Sequence, residues 1–412
     1  MTHIILVGTL ILLFLIATLR PVNMGLLALA AAFLAGTMLI DIPPKEILGG
    51  FPGDLVVILV GVTFLFAIAE RNGAIECVVH GLTRIFGHRA VAMPWVIFIA
   101  SALLTSFGAL GPAAVAIVAP VALRFAAQHH ISPLMMGLMT IHGAQAGAFS
   151  PTSVYGGITN GVIEMSGIAP EPVMLFFASL FFNLTVAILI FLFLGGLRLL
   201  RDAPESPKPS EPLAPEMKRE RLLTLLALGA MAIATILFEV DIGVASMVAA
   251  AFLAVAAPHS QKGAVDRVAW STVLLIAGVV TYVALLQRVG TVNAAGDLIA
   301  GIGSPLLAVL LLCYLGGIVS AFASSTALLG IVVPPAVPFL GHGDVRANGT
   351  VAAIAISTTI VDTSPFSTNG ALVVANAAEP IRERLVRQLL GYSALIALIG
   401  PLVAWAIFVF LA

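Results

Sequence analysis

The chain has 412 residues, 60% of them hydrophobic and only 9% charged, with 19 Lys and Arg against 20 Asp and Glu for a net charge of −1. A soluble domain carries about 25% charged residues, so this composition excludes a soluble fold, a disordered chain and a nucleic-acid binder, and predicts an all-α integral membrane protein. The two cysteines, Cys77 and Cys313, lie far apart in apolar surroundings and imply no disulfide framework.

A crossing needs roughly 20 apolar residues. In chain order, the hydropathy predicts spans near 4–19, 24–40 and 55–70, Gly/Pro-broken blocks at 92–124 and 133–165, and a clean span at 172–197. The first span has no basic segment before it and is read as a helix rather than a signal peptide. Glu76 to Arg89 is amphipathic and is expected at the membrane interface or as a solvated connector. From Arg198 to Arg221 the character changes. Eleven charges and Pro204, Pro207, Pro209, Pro212 and Pro215 mark a solvated linker. Spans follow near 222–238, 242–257 and 271–287, then broken blocks at 304–340 and 349–379 and a last span at 389–411.

Orientation follows from the basic residues. With the N-terminus outside and blocks 92–124 and 304–340 as re-entrant hairpins, every Lys and Arg except Lys45, Arg288 and Arg346 falls inside. Complete crossings by those blocks would scatter the basic groups over both sides. Both termini are therefore expected outside and the linker in the cytoplasm, in a bacterial inner membrane.

The segments flanking the linker resemble each other at a slowly drifting offset. Ile16-Ala17-Thr18 returns as Ile233-Ala234-Thr235, and Ala30–Ala35 as Ala249–Ala254. Gly61, Ala67, Arg71 and Gly73 match Gly278, Ala284, Arg288 and Gly290 at an offset of 217. Ser150-Pro151 matches Ser364-Pro365. Five crossings plus one hairpin per half turn the second half upside down. The expected architecture is two inverted repeats with about ten transmembrane helices, two re-entrant hairpins and two broken helices. The repeats span 1–197 (scaffold 4–70, transport part 92–197) and 222–412 (scaffold 222–287, transport part 304–412), around the linker 198–221. Paired interruptions of this kind are the signature of secondary transporters.

Four breaks carry the chemistry. The first is Gly108-Ala109-Leu110-Gly111-Pro112, with Pro112 suited to a helix start. The second is Phe149-Ser150-Pro151-Thr152-Ser153, in which Ser150 is expected to cap and Pro151 to begin a half-helix. The third is Ala323-Ser324-Ser325-Thr326, and the fourth Thr363-Ser364-Pro365-Phe366-Ser367-Thr368-Asn369-Gly370, another Ser-Pro start. Each presents unpaired N–H groups and about half a positive charge at depth, so four converging starts form an anion site from backbone alone. No Lys or Arg lies between Trp95 and Leu123, Pro133 and Gly167, Pro305 and Leu340, or Asn348 and Ala378. The alternative is that Ser-Pro and Gly-Pro merely kink packed helices.

Asp362 precedes the fourth break, where the first repeat has Ala148. With Thr363 it is a candidate for a coupling Na⁺ or proton, or a cap of the break. His142 and Gln145 lie one turn before the second break. His142 is a candidate proton group or a packing residue. Tyr155 is a candidate for lining the site or for the membrane interface. Enzyme signatures, cofactor motifs and Cys/His metal spacings are absent.

The paired hairpins and Ser-Pro breaks resemble the ion transporter superfamily, in particular the divalent anion/sodium symporters and the malonate- or citrate-type carriers. In the symporters, Ser-Asn-Thr at both hairpin tips binds carboxylate and helps coordinate Na⁺. Here the tips read Gly108-Ala109-Leu110-Gly111 and Ser324-Ser325-Thr326, a difference that favours a smaller anion or proton coupling through Asp362. The resemblance implies a homodimer with a fixed scaffold and an elevator-like moving part. It also implies a small mono- or dicarboxylate as substrate, Na⁺ or H⁺ as coupling ion, and no other cofactor. The rivals are a cation/proton antiporter using Asp362 and a non-transporting membrane subunit.

Overall fold

The protein is seen in a computed structural model, which describes all residues except 1, 21, 76, 79–80, 82–89, 166, 201–217, 239, 292–303, 322–324, 334–335, 337–345 and 411–412. Most of the amphipathic stretch Glu76–Arg89, most of the linker, and Ala323 and Ser324 of the third break lie outside the described residues.

The described residues form helices only. In the first part these are α1 (Thr2–Leu19), α2 (Met24–Leu34, continued by a π turn to Leu39), α3 (Pro44–Ile47) and α4 (Gly53–Arg71). Then come α5 (Met93–Ser106), α6 (Gly111–Gln128), α7 (Pro133–Gly147), α8 (Val154–Met165) and α9 (Pro172–Phe193). After the linker follow α10 (Lys218–Leu237), α11 (Ile242–Ala256), α12 (Pro258–Gln261) and α13 (Trp270–Arg288). The series ends with α14 (Pro305–Ser320), α15 (Ser325–Val332), α16 (Ala347–Ile360), α17 (Thr368–Ala375) and α18 (Glu379–Trp405, with a π turn to Phe410). By length and composition α4, α6, α9, α13 and α18 are able to cross a membrane, and α2, α5, α11, α14 and α16 are shorter apolar helices.

The helix starts repeat as the sequence predicts: α6, α7 and α8 begin 214 residues before α15, α16 and α17. Packing repeats with them. α2 crosses α13 and α4 crosses α11, so each early helix of one part lies against its counterpart's neighbour in the other. Glycine permits both crossings. A Cβ on Gly25 would sit 2.0 Å from the Leu274 carbonyl oxygen, and one on Gly61 2.4 Å from Ser246 Oγ.

At the centre stand α7 and α16, whose residues are buried almost throughout. Gln145 of α7 donates its Nε2 to the carbonyl of Thr359 on α16 at 2.7 Å, and the two residues are repeat equivalents. The outer faces are greasy and uncovered, with Leu226, Val255 and Leu398 among many exposed aliphatic side chains, as a lipid-facing surface requires.

The first hairpin turns back beside α4. Its turn carries Gly108 at φ +114°, a conformation that favours glycine. A Cβ there would meet Val62 Cγ1 at 2.4 Å, and Val62 is the midpoint of the crossing helix α4. The tip therefore lies beside the middle of α4. From Gly111, α6 needs only 13 residues, about 20 Å, to carry Arg124 out to the polar boundary.

Candidate functional site

The Ser-Pro pairs begin turns, not helices. Ser153 N–H bonds the Ser150 carbonyl at 2.9 Å, and Ser367 N–H bonds the Ser364 carbonyl at 2.9 Å. Each turn thus has proline at its second position, where a fixed φ is an advantage. The half-helices start after the turn, at Val154 and Thr368, three residues later than expected. Ser153 is the cap of α8: its Oγ accepts from Gly156 N–H at 3.1 Å. Ser150 Oγ and Ser364 Oγ instead serve the turns, accepting from Thr152 N–H and Phe366 N–H. Gly156 and Gly370 allow the turn to fold back on its helix, since a Cβ would lie 2.2 Å and 2.0 Å from the Ser150 and Ser364 carbonyls.

The repeats part company at the cap of α17. Ser367 Oγ donates to the Ser364 carbonyl at 2.7 Å and makes no cap hydrogen bond. The amide of Asn369 is instead taken by Asp362 Oδ1, seven residues upstream, at 3.3 Å. Asp362 Oδ2 accepts from Asn369 Nδ2 at 3.0 Å and from Ser325 Oγ, the first residue of α15, at 3.1 Å. Ser320 at the end of α14 pairs its hydroxyl with Ser325 at 3.0 Å. Asp362 is thus the knot between the third and fourth breaks. Ala148, its equivalent, has no side chain with which to tie one.

The remaining two breaks join the same knot. A Cβ at Gly111, the start of α6, would lie 3.6 Å from Asn369 Nδ2, 3.6 Å from the Tyr155 hydroxyl and 3.9 Å from Asn369 Oδ1. Tyr155 is the second residue of α8 and Asn369 the second of α17. Thr152 Oγ1 donates to the Ser106 carbonyl at the end of α5, fastening the second break to the first hairpin. Gly111, Tyr155, Ser325 and Asn369, each at the first turn of a different helix, therefore surround one junction through Asp362. It is buried: Asp362 and Asn369 are each 2% exposed.

Of the sequence candidates, Gly108, Gly111, Ser150, Thr152, Ser153, Ser325, Asp362, Ser364, Ser367 and Asn369 are drawn into these contacts, and Pro151 and Pro365 shape the turns. Thr326 lies on α15. Two candidates are placed elsewhere. Thr363 pairs with Ser393 of α18 at 3.1 Å. His142 is held between Asn183 Oδ1 (3.0 Å) and the Tyr392 hydroxyl (2.6 Å). The Asn183 amide nitrogen is spent on the Ser179 carbonyl, so His142 donates through Nδ1 and accepts from Tyr392. Sequence reasoning missed Ser320 and gave no role to Gly156 or to Gly370, which it placed only at the end of the fourth break. The last two carry the signal of a glycine six residues after each Ser-Pro serine.

The two Ser-Pro breaks differ in access. Phe366 is 63% exposed and Thr368 is exposed, whereas the equivalent Thr152 and Val154 are buried. In a chain with Cys77 and Cys313 replaced, Phe366→Cys is expected to react with a polar maleimide much faster than Thr152→Cys. Equal rates would contradict a junction open on the fourth-break side.

Residues 1–148 match the family described as Dicarboxylate carrier protein MatC N-terminus. Among 26 similar chains of solved structure is the Alcanivorax borkumensis YdaH transporter, at 17% identity and a TM-score of 0.64 over 93% of this chain and 96% of that one. No curated protein sequence matches the chain. The YdaH likeness shows that the two chains share one all-α fold over nearly their whole length, and together with the family match it bears out the resemblance to dicarboxylate-type carriers.

Proposed function

We propose that the chain is a secondary active transporter of a small dicarboxylate, coupled to Na⁺ or H⁺. The observation that carries this is the meeting of four helix starts around Asp362, Asn369, Gly111 and Tyr155. A buried junction rich in oriented N–H groups and free of Lys and Arg suits a carboxylate that must be released again. The match of residues 1–148 to a dicarboxylate carrier family supports the same substrate class.

The scaffold of this reading is α1 to α4 and α10 to α13, and the moving part is the remainder, working elevator-fashion in a homodimer. A cleft of about 220 Å³ along that boundary supports it. Val280 and Ala284 of α13 line it against Val162 of α8 and Gly330 of α15. Cation/proton exchange through Asp362 is the rival reading.

The test is thermal unfolding of the purified protein in detergent with malonate or succinate, with and without Na⁺. A ligand at about 100 times its Kd adds about 2.7 kcal/mol, a rise of several degrees. Gly111→Val, whose side chain enters the junction, is expected to remove that rise. Alkali-cation/proton exchange without any anion effect would overturn the proposal.

A further inference from the structure

Asn369 is used on one side only. Its Nδ2 and backbone N–H both serve Asp362, which fixes the orientation of the amide. Among the described residues its Oδ1 has no hydrogen-bond partner, although the residue is 2% exposed. Leaving a buried acceptor unpaired costs stability that a donor from a ligand would restore. That oxygen lies 3.9 Å from where a Cβ on Gly111 would be, at the start of α6. A bare dicarboxylate dianion has only acceptors and leaves Oδ1 unpaired. The ligand that satisfies it carries a donor as well as a negative charge.

Charge leads to the same ligand. Four helix starts offer at most about +2, and no Lys or Arg lies in the broken segments. With Asp362 ionised, a dianion makes three negative charges and a monoanion two. One proton restores the balance. The unpaired acceptor at the junction is Asn369 Oδ1, which lies beside the start of α6, so the geometry places that proton on the substrate.

We infer that the junction takes its substrate as the monoprotonated acid, a hydrogen dicarboxylate whose carboxylate faces the helix starts and whose carboxyl O–H donates to Asn369 Oδ1. The proton enters and leaves with the substrate, and transport is electrically a proton symport. This rests on the dicarboxylate reading above and narrows it.

The test compares three probes by thermal stabilisation: succinate, its half-amide succinamate, and monomethyl succinate. The half-amide keeps one carboxylate and a donor; the half-ester keeps the carboxylate and has none. Succinamate is expected to bind about tenfold more tightly than the half-ester, as the loss of one buried hydrogen bond implies. Asn369→Ala is expected to bring the two within a factor of about 2. From about pH 5 to about pH 8, as succinate loses its second proton, its apparent affinity is expected to fall relative to that of succinamate. Equal binding of half-amide and half-ester by the parent protein, or succinate binding that strengthens toward high pH, overturns this inference and leaves the dicarboxylate reading standing. Failure of all three to bind overturns both.

Discussion

Asp362→Ala is expected to abolish anion-induced stabilisation and uptake into proteoliposomes. Its two oxygens accept from the backbone and side chain of Asn369 and from Ser325. Removing them leaves three buried donors facing a void and cuts α15 loose from α17. Breaking a buried charged knot of this kind costs about 3 kcal/mol, a factor of about 100 in any equilibrium that needs the four helix starts in register. Asp362→Asn keeps the shape and one acceptor oxygen, but turns an N–H₂ toward Asn369 or Ser325, and is expected to fall between alanine and the parent. Uptake by Asp362→Ala at the parental rate would show that the knot is ornamental to transport. Ser325→Ala removes one donor and keeps the charge. It is expected to weaken the ligand effect by about tenfold, far less than loss of the carboxylate.

The second large effect is on stability. Gly278→Ala puts a Cβ 1.8 Å from the Gly25 carbonyl oxygen and 2.8 Å from its Cα. Both obstacles are backbone and cannot rotate away. The crossing of α2 and α13 must open, and overpacking of that kind is expected to cost about 3 kcal/mol, read as a drop in the thermal midpoint in detergent. Gly229→Ala in α10 is the control, because a Cβ there meets nothing within 4 Å. That substitution is expected to be neutral or to stabilise by up to about 1 kcal/mol through helix propensity. Similar midpoints for the two variants would mean that the α2–α13 crossing is looser than its geometry.

Much of the junction was legible before any coordinates. Gly, Pro and Ser interrupt apolar runs only where the backbone has another way to satisfy its N–H groups, so the four breaks announce themselves by composition. Asp362 stood out as a lone acid in an apolar segment, and Asn369 as an amide just inside the last break. The extents of the breaks were misjudged. Proline after serine is as well suited to the second place of a turn as to the first turn of a helix, and local preference does not choose between them. The outcome depended on Ser153 and Ser367 finding the Ser150 and Ser364 carbonyls, and on glycines that let the chain fold back. His142 shows the same limit. A histidine one turn from a break looks available until Asn183 and Tyr392, on helices distant in sequence, claim both ring nitrogens.

By itself the sequence determined the solvent, the spans and the repetition. These follow from transfer free energies and hydrogen-bond bookkeeping, which act residue by residue and need no partner. Only the tertiary structure decided which helix starts share a junction, that Asp362 ties the third break to the fourth, and that Asn369 keeps one oxygen in reserve. Those are properties of distances between segments up to 258 residues apart, as between Gly111 and Asn369. A side chain's chemistry is set by what stands opposite it, and the order of residues along a chain does not contain that until the helices have packed.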